Sequence, residues 1–201
     1  MFIGICPKCG GYSTDKSIDI QNGINYSVCK DCGNPHPFKR LPLFVVIGSS
    51  GSGKTNVCLE MPNVTQDIIC LDGDIFLPMA AATDGNWDSF RYLVMEVCVN
   101  ISQYGKPVAI FHGGMPDDYI NNDMAKFFQK IVPIGIYADE EDIVKRLSNR
   151  PAWRKSSSPD MIENMVKYNA EVSKIPVSVN TTGKKPIESA DELFQIMKRE
   201  L

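Results

Sequence analysis

Two groups of residues in this 201-residue chain have the types and spacing of a chemical site. The first is Gly48-Ser49-Ser50-Gly51-Ser52-Gly53-Lys54-Thr55. Small residues there let consecutive backbone amides turn inward around a phosphate, Lys54 is placed to reach the β and γ oxygens, and the Thr55 hydroxyl suits Mg²⁺. The second is a pair of cysteine pairs, Cys6-Pro7-Lys8-Cys9-Gly10 and Cys29-Lys30-Asp31-Cys32-Gly33, with nineteen residues between Cys9 and Cys29. A tight turn in each would bring two thiolates to one side of an ion, and four sulfurs complete a tetrahedron around zinc. Such a closed site leaves no open coordination position, so the metal would be structural. Iron on the same four ligands is the alternative; disulfides do not suit a cytosolic protein.

Positioning these groups requires particular elements. The apolar run 43–47 reads as a buried parallel strand leading into the phosphate loop, and a helix from Lys54 to about Glu60 follows it. Downstream, strands are expected at 67–71, 108–111, 131–137 and 177–179, and helices at 86–103, 118–129, 139–149, 159–173 and 187–199. This alternation predicts an α/β fold, three layers around a five-stranded parallel sheet. Before it, 12–28 reads as a hairpin turning at Asn22-Gly23. Three prolines in 34–42 mark a linker, so the expected domains are 1–40 and 41–201. So small an N-terminal module has little apolar core, and its metal would supply most of its folding free energy. His36 is expected to be exposed in the linker, outside the ligand set.

Composition narrows the function classes. With 43% hydrophobic and 22% charged residues the chain is an ordinary globular sequence. It has neither an apolar run long enough to span a membrane nor a secretory leader pattern, so a cytoplasmic protein is expected. The net charge is −3, and residues 1–40 hold five basic against three acidic side chains, too even a balance for a nucleic-acid-binding face.

The motifs beyond the first helix decide which kind of phosphate-loop protein this is. No paired Asp-x-x-Gly and Asn-Lys-x-Asp of a GTPase is present; the second strand ends instead in Asp72-Gly73-Asp74, at the mouth where α/β sheets bind ligands. After strand three comes His112-Gly113-Gly114, then the arginine-bearing segment 146–154, then Asn180-Thr181-Thr182-Gly183-Lys184. In this order the motifs resemble the shikimate-kinase-like and nucleoside-kinase-like branch of P-loop small-molecule kinases, over about residues 43–200, while about 4–34 resemble a zinc ribbon. The resemblance implies a kinase that uses ATP and Mg²⁺. Gly48 to Thr55 would bind the nucleotide phosphates, Asp72 and Thr55 the Mg²⁺, and Asp74 would orient and deprotonate the acceptor hydroxyl. Arg146, Arg150 and Arg154 recur every four residues in the implied lid, but Pro151 disturbs the register of Arg154, so Arg146 and Arg150 join Lys54, Asp72 and Asp74 as expected catalytic residues. Trp153 would pack the lid, and 180–184 would border the adenine. One departure stands out. Strand three ends in Phe111-His112 where many P-loop proteins carry an aspartate, which leaves His112 either contacting substrate or packed beneath the loop.

Acceptor choice is expected from Phe76, Trp87, Phe90 and Arg91. Aromatic faces suit a flat base, so a nucleoside is preferred over another hydroxylated metabolite, although Phe90, Val94, Val97 and Ile101 share a helical spacing that also reads as core. The competing function is a zinc-ribbon nucleotide switch, in which ATP binding repositions the ribbon against a protein or nucleic-acid partner. Cys58, Cys70 and Cys98 are expected as core thiols. A homo-oligomer is left open.

Overall fold

The computed structural model describes residues 3–151, 153 and 157–201, with backbone alone at 81 and 82. The hairpin is present: β1 (Ser17–Gln21) and β2 (Ile24–Val28) pair antiparallel across Asn22 and Gly23, whose φ values of 50° and 79° suit the turn that matches strand twist. A third strand, β3 (Pro35–Pro37), pairs antiparallel with β2 inside the segment expected to be a free linker. Its prolines are tolerated because β3 is an edge strand. This corrects the reading of His36, which is 3% exposed and lies opposite Ser27 in the ladder.

The main sheet is fully parallel, in the order β5-β6-β4-β7-β8, with β4 (Leu43–Ile47), β5 (Ile69–Asp72), β6 (Val108–His112), β7 (Ile131–Tyr137) and β8 (Ser178–Asn180). Every side chain of central β4 is buried, as both faces of a parallel sheet must be covered. Its alternate residues serve two cores. Leu43, Val45 and Ile47 pack with Phe90, Val94, Met95 and Val99 of α2 (Trp87–Ser102). Phe44 and Val46 pack with Val57 and Met61 of α1 (Lys54–Val64) and with Leu193 and Met197 of α6 (Pro186–Lys198). The layers expected from the sequence are therefore built by the period-two alternation of one strand.

Local boundaries follow local chemistry. Asn86 caps α2, its side chain accepting from the Asp88 and Ser89 N–H groups at 3.0 Å. Helix α1 runs past Pro62 to Val64, beyond its expected end, and the Thr65 N–H closes its last turn on the Met61 carbonyl. The helix expected over 118–129 is instead α3 (Pro116–Ile120) and a separate 3₁₀ turn, Asp123–Phe127. The break falls at Asn121-Asn122, where the Asn122 side chain accepts from the Met124 N–H and starts the new turn. Helices α4 (Glu140–Ser148) and α5 (Pro159–Val172) match expectation, and they pack through Ile143 and Leu147 against Ile162, Met165 and Val166. A long 3₁₀ segment, Gly73–Thr83, was not anticipated from the sequence.

The N-terminal module is docked, not tethered. Ile3 and Phe38 belong to the main core beside α2, and Phe38 meets Phe127 edge to face with ring centroids 6.0 Å apart. Polar contacts line the seam: the Ile3 N–H donates to Asn100 Oδ1 at 2.8 Å, the Thr14 and Tyr92 hydroxyls bond, the Lys39 N–H donates to Gln103 Oε1 at 2.8 Å, and Arg40 Nε donates to the Phe128 carbonyl at 2.8 Å. No described helix is long and apolar enough to cross a membrane.

Candidate active site

The phosphate loop leaves β4 and enters α1 through Gly53, whose φ is 96°. It walls a cavity of about 700 Å³ lined by Ser49, Ser50, Gly51, Gly53, Lys54 and Thr55 and, from elsewhere in the chain, by Asp74, Arg146, Arg150, Thr181 and Lys184. Residues separated by more than a hundred positions are thus brought to one opening at the carboxyl ends of the strands. Lys54 Nζ donates to the Gly48 and Ser49 carbonyls. Burial pushes its pKa down to about 8, against the pull of Asp74 and Asp72, and Arg150 pushes the same way as burial.

The two aspartates differ. Asp74 is exposed and faces the cavity. Asp72 is half-buried, and its Oδ1 accepts from the Asp74 N–H at 3.0 Å, capping the 3₁₀ segment. It does not line the cavity, but its charge acts on Lys54.

The arginines differ too. Arg146 Nη1 donates to the Gly51 carbonyl and the Thr181 hydroxyl, each at 3.0 Å; Nη2 donates to Asp142 at 3.0 Å and to the Thr181 carbonyl at 3.3 Å. Four of its five donors are held by protein, which makes it a clamp between α4, the phosphate loop and the turn after β8. Arg150, past the end of α4, lines the cavity and sends its charge onto Lys54. Arg154 lies outside the described residues, as does Ala152; Trp153 is 78% exposed.

Of the residues expected to choose the acceptor, Trp87, Phe90 and Arg91 sit at the start of α2 and Phe76 in the 3₁₀ segment before it. Trp87, half-exposed, meets Phe90 edge on with centroids 5.6 Å apart, and Phe90 lies 5.4 Å from the His112 ring. Phe90 is fully buried and Phe76 packs against the core, so only Trp87 of the three offers an open face. Arg91 is drawn into ion pairs with Asp88 at 2.8 Å and Asp118 at 3.3 Å, its side chain 12% exposed.

Three residues that the sequence reading passed over hold the loops. Tyr119 donates to the Gly113 carbonyl at 2.6 Å, and Tyr168 accepts from the Gly114 N–H at 2.8 Å while donating to its carbonyl at 2.7 Å. Asn169 accepts from the Ser49 hydroxyl at 3.4 Å and the Ala138 N–H at 3.2 Å, and donates to the Ala138 carbonyl at 2.7 Å. Consecutive residues of α5 therefore secure the loop after β6 and the phosphate loop. The signal was there for Asn169, an amide continuing the apolar stripe of Ile162, Met165 and Val166, since a buried amide must find partners.

At the other end of the molecule the four cysteines converge, all sulfurs within 4.8 Å of one another. Cys6 Sγ is 3.7 Å from Cys32 Sγ, and Cys9 Sγ is 3.8 Å from Cys29 Sγ. A tetrahedron with metal–sulfur bonds of about 2.3 Å has edges of about 3.8 Å, so these two edges have the length that a zinc site requires. Each knuckle closes through its glycine: the Gly10 N–H donates to the Cys6 carbonyl and the Gly33 N–H to the Cys29 carbonyl, both at 2.9 Å, with φ of 72° and 67°. The backbone N–H of Cys9 pulls the Cys6 thiol down, while the Cys9 thiol, despite the Gly11 N–H, is pushed up by the sulfurs of Cys32 and Cys6, since thiolates this close repel one another unless a cation lies between them. His36 is not among these ligands. Cys58 and Cys98 are buried and Cys70 is partly so, and burial raises all three thiols to about 12.

No protein-family model and no curated protein matches the chain. Solved structures do. A sugar kinase from Janibacter sp. HTCC2649 superposes with a TM-score of 0.59 at 15% identity, over 80% of this chain and 95% of that one. Shikimate kinase from Acinetobacter baumannii, in complex with shikimate, gives 0.52 at 18% identity, over 80% and 94%. The tunicamycin resistance protein of Deinococcus radiodurans gives 0.60 at 12% identity, over 79% and 96%. At these identities the likeness is one of fold. The chain has the five-stranded parallel architecture of the P-loop small-molecule kinases, with a four-cysteine module docked on its second helix.

Proposed function

We propose that the protein transfers the γ-phosphoryl group of ATP to a hydroxyl of a small acceptor. The observation that carries this reading is the meeting of Lys54, Thr55, Asp74 and Arg150 at one cavity with the phosphate loop. Phosphoryl transfer asks little covalent chemistry of a protein; it asks for alignment and charge neutralisation. The loop amides and Lys54 would hold the β and γ phosphates, with Mg²⁺ on Thr55 and, through water, Asp72 supplying further neutralisation. The acceptor oxygen attacks phosphorus, its proton passes to Asp74, and the bond to the bridging oxygen breaks to release ADP. Arg150 faces the charge that spreads over the transferred group. Arg146 acts at one remove, fixing the loop and the turn that would border the adenine.

Residues 1–40 we assign to a zinc module, on the fit of its sulfurs to a tetrahedral ion. Its docking through Ile3, Phe38 and the α2 seam weighs against the competing switch, which needs the ribbon to change place. A nucleoside suits the open face of Trp87, and the sugar and shikimate kinases of like fold suggest the wider class of hydroxylated acceptors.

The test is ADP release from MgATP against nucleosides, nucleotides, shikimate, gluconate and small polyols, with the acceptor-free rate subtracted. Strong stimulation by one member is expected. ATP binding with no stimulation across the panel would overturn the kinase reading.

A further inference from the structure

We infer that His112 selects an acceptor with at least two hydroxyls, its Nε2 lone pair accepting a hydrogen bond from a second hydroxyl of the molecule whose first hydroxyl faces Asp74. The inference rests on the reading of this cleft as the acceptor site.

His112 ends β6, paired in register with Ile47 immediately before the phosphate loop. The residue is 7% exposed, and its ring is fixed from three sides. Phe90 lies against one face with centroids 5.4 Å apart. Gly73 lies against the ring edge so closely that a Cβ there would fall 2.6 Å from His112 Cδ2. The third restraint is chemical. Nδ1 lies 2.8 Å from the Tyr119 hydroxyl, and that hydroxyl gives its one hydrogen to the Gly113 carbonyl. Tyr119 can then only accept from the ring, so Nδ1 carries the proton and Nε2 is left as a bare acceptor.

Nε2 has no hydrogen-bond partner among the described residues, yet it is not one of the fully buried unpartnered atoms. The small exposed part of the residue therefore includes it. The ring does not itself line the cavity; it packs against Gly73, the residue before Asp74, which with Lys54 does line it, and the Gly113 carbonyl and the charges of Asp74, Lys54 and Arg91 act on it. Burial, the largest influence on its pKa, keeps the ring neutral. A neutral acceptor beside a carboxylate acceptor calls for a ligand bringing two donors, as a sugar, a polyol acid or a ribonucleoside does. An analogue lacking the second hydroxyl would leave Nε2 unpaired and lose roughly ten- to hundredfold in kcat/KM.

The chain has two histidines, so nitrogen NMR of the full-length, zinc-loaded protein can assign both with one variant, His112→Asn. We expect His112 as the Nδ1–H tautomer, with its Nε2 signal moving when shikimate, gluconate, D-ribose or uridine is added with MgADP. The opposite tautomer, or a signal that none of the four moves, overturns the inference. Kinetics give the second arm. Asn can keep the Tyr119 contact but not Nε2, whereas Gln can place its amide oxygen near the Nε2 position. With the best acceptor of the four, His112→Asn should raise its KM about tenfold or more while leaving the KM for ATP unchanged, and His112→Gln should recover much of the loss. Phosphoryl transfer with an unaltered acceptor KM in His112→Asn overturns the role of His112 and leaves the kinase standing. A ligand that moves Nε2 without accelerating ADP release does the reverse.

Discussion

Arg146 and Gly51 are joined by a 3.0 Å hydrogen bond from guanidinium to carbonyl, so the phosphate loop is held from outside by α4. The same guanidinium reaches both the hydroxyl and the carbonyl of Thr181. Arg146→Ala should therefore loosen the nucleotide site more than the chemistry. The KM for ATP is expected to rise about tenfold with a smaller change in kcat, and the melting temperature to fall by about 2–6 °C. Calorimetry and initial rates would separate the two effects; a fall in kcat at unchanged KM would return Arg146 to direct contact with the phosphoryl group.

Arg150→Ala should show the opposite signature. Its charge faces the cavity beside Lys54, so kcat is expected to fall by about 10²–10³ with MgATP affinity nearly intact. Fluorescent-nucleotide titration beside steady-state assays would check this.

Asp74→Asn keeps the size of the side chain and removes its ability to accept a proton. Turnover should drop by about 10²–10⁴ while MgATP binds within about threefold of the parent. Retained turnover would sink the assignment of Asp74.

Lys54 carries a pH dependence whose sign is fixed by its lowered pKa, about 8 in the fold against an ordinary 10.5. Between those values the unfolded chain holds a proton that the folded chain has released, so stability rises with pH there. Below about 8 the full cost of the buried ammonium is present. Lys54→Met should hence melt higher than the parent at pH 7, with the gap closing toward pH 10.5, and should lose nucleotide binding. In the parent, ATP affinity should weaken as pH rises through about 8. Melting curves across pH 6–10 on both proteins test the sign.

Removal of metal should reach beyond the ribbon. One zinc per chain is expected by elemental analysis. Chelation or Cys32→Ser should lower the melting temperature of the whole protein, because Ile3 and Phe38 complete the core beside α2. A chelated protein with an unchanged melting transition would separate the module from the fold.

What could be read in advance was whatever local pattern determines. The run 43–47 and the phosphate loop carry their own strand, turn and helix signals, and the Cys-x-x-Cys-Gly knuckles carry their own turns. What could not be read depended on partners far along the chain. Strand β3 exists because β2 offers an edge to 35–37, and nothing in Pro35-His36-Pro37 alone says strand. The difference between Asp72 and Asp74 is one of direction after the chain turns, which identical side chains two residues apart do not reveal. The same holds for Arg146 and Arg150, alike in the sequence until Gly51 and Thr181 claim one of them.

The seam between Ile3 and Asn100 also sets an order of events during synthesis. Those residues are 97 positions apart, and Arg40 and Phe128 are 88 apart. At about 5–20 residues per second, the first waits roughly 5–20 s for its partner. The four cysteines are all made long before then, so the ion can be captured while the P-loop domain is still being translated. Metal supply and translation speed thus meet at one interface: a ribbon already closed on its ion offers Ile3 and Phe38 to α2 as a finished surface, and one made in metal-poor conditions arrives with the same residues uncommitted.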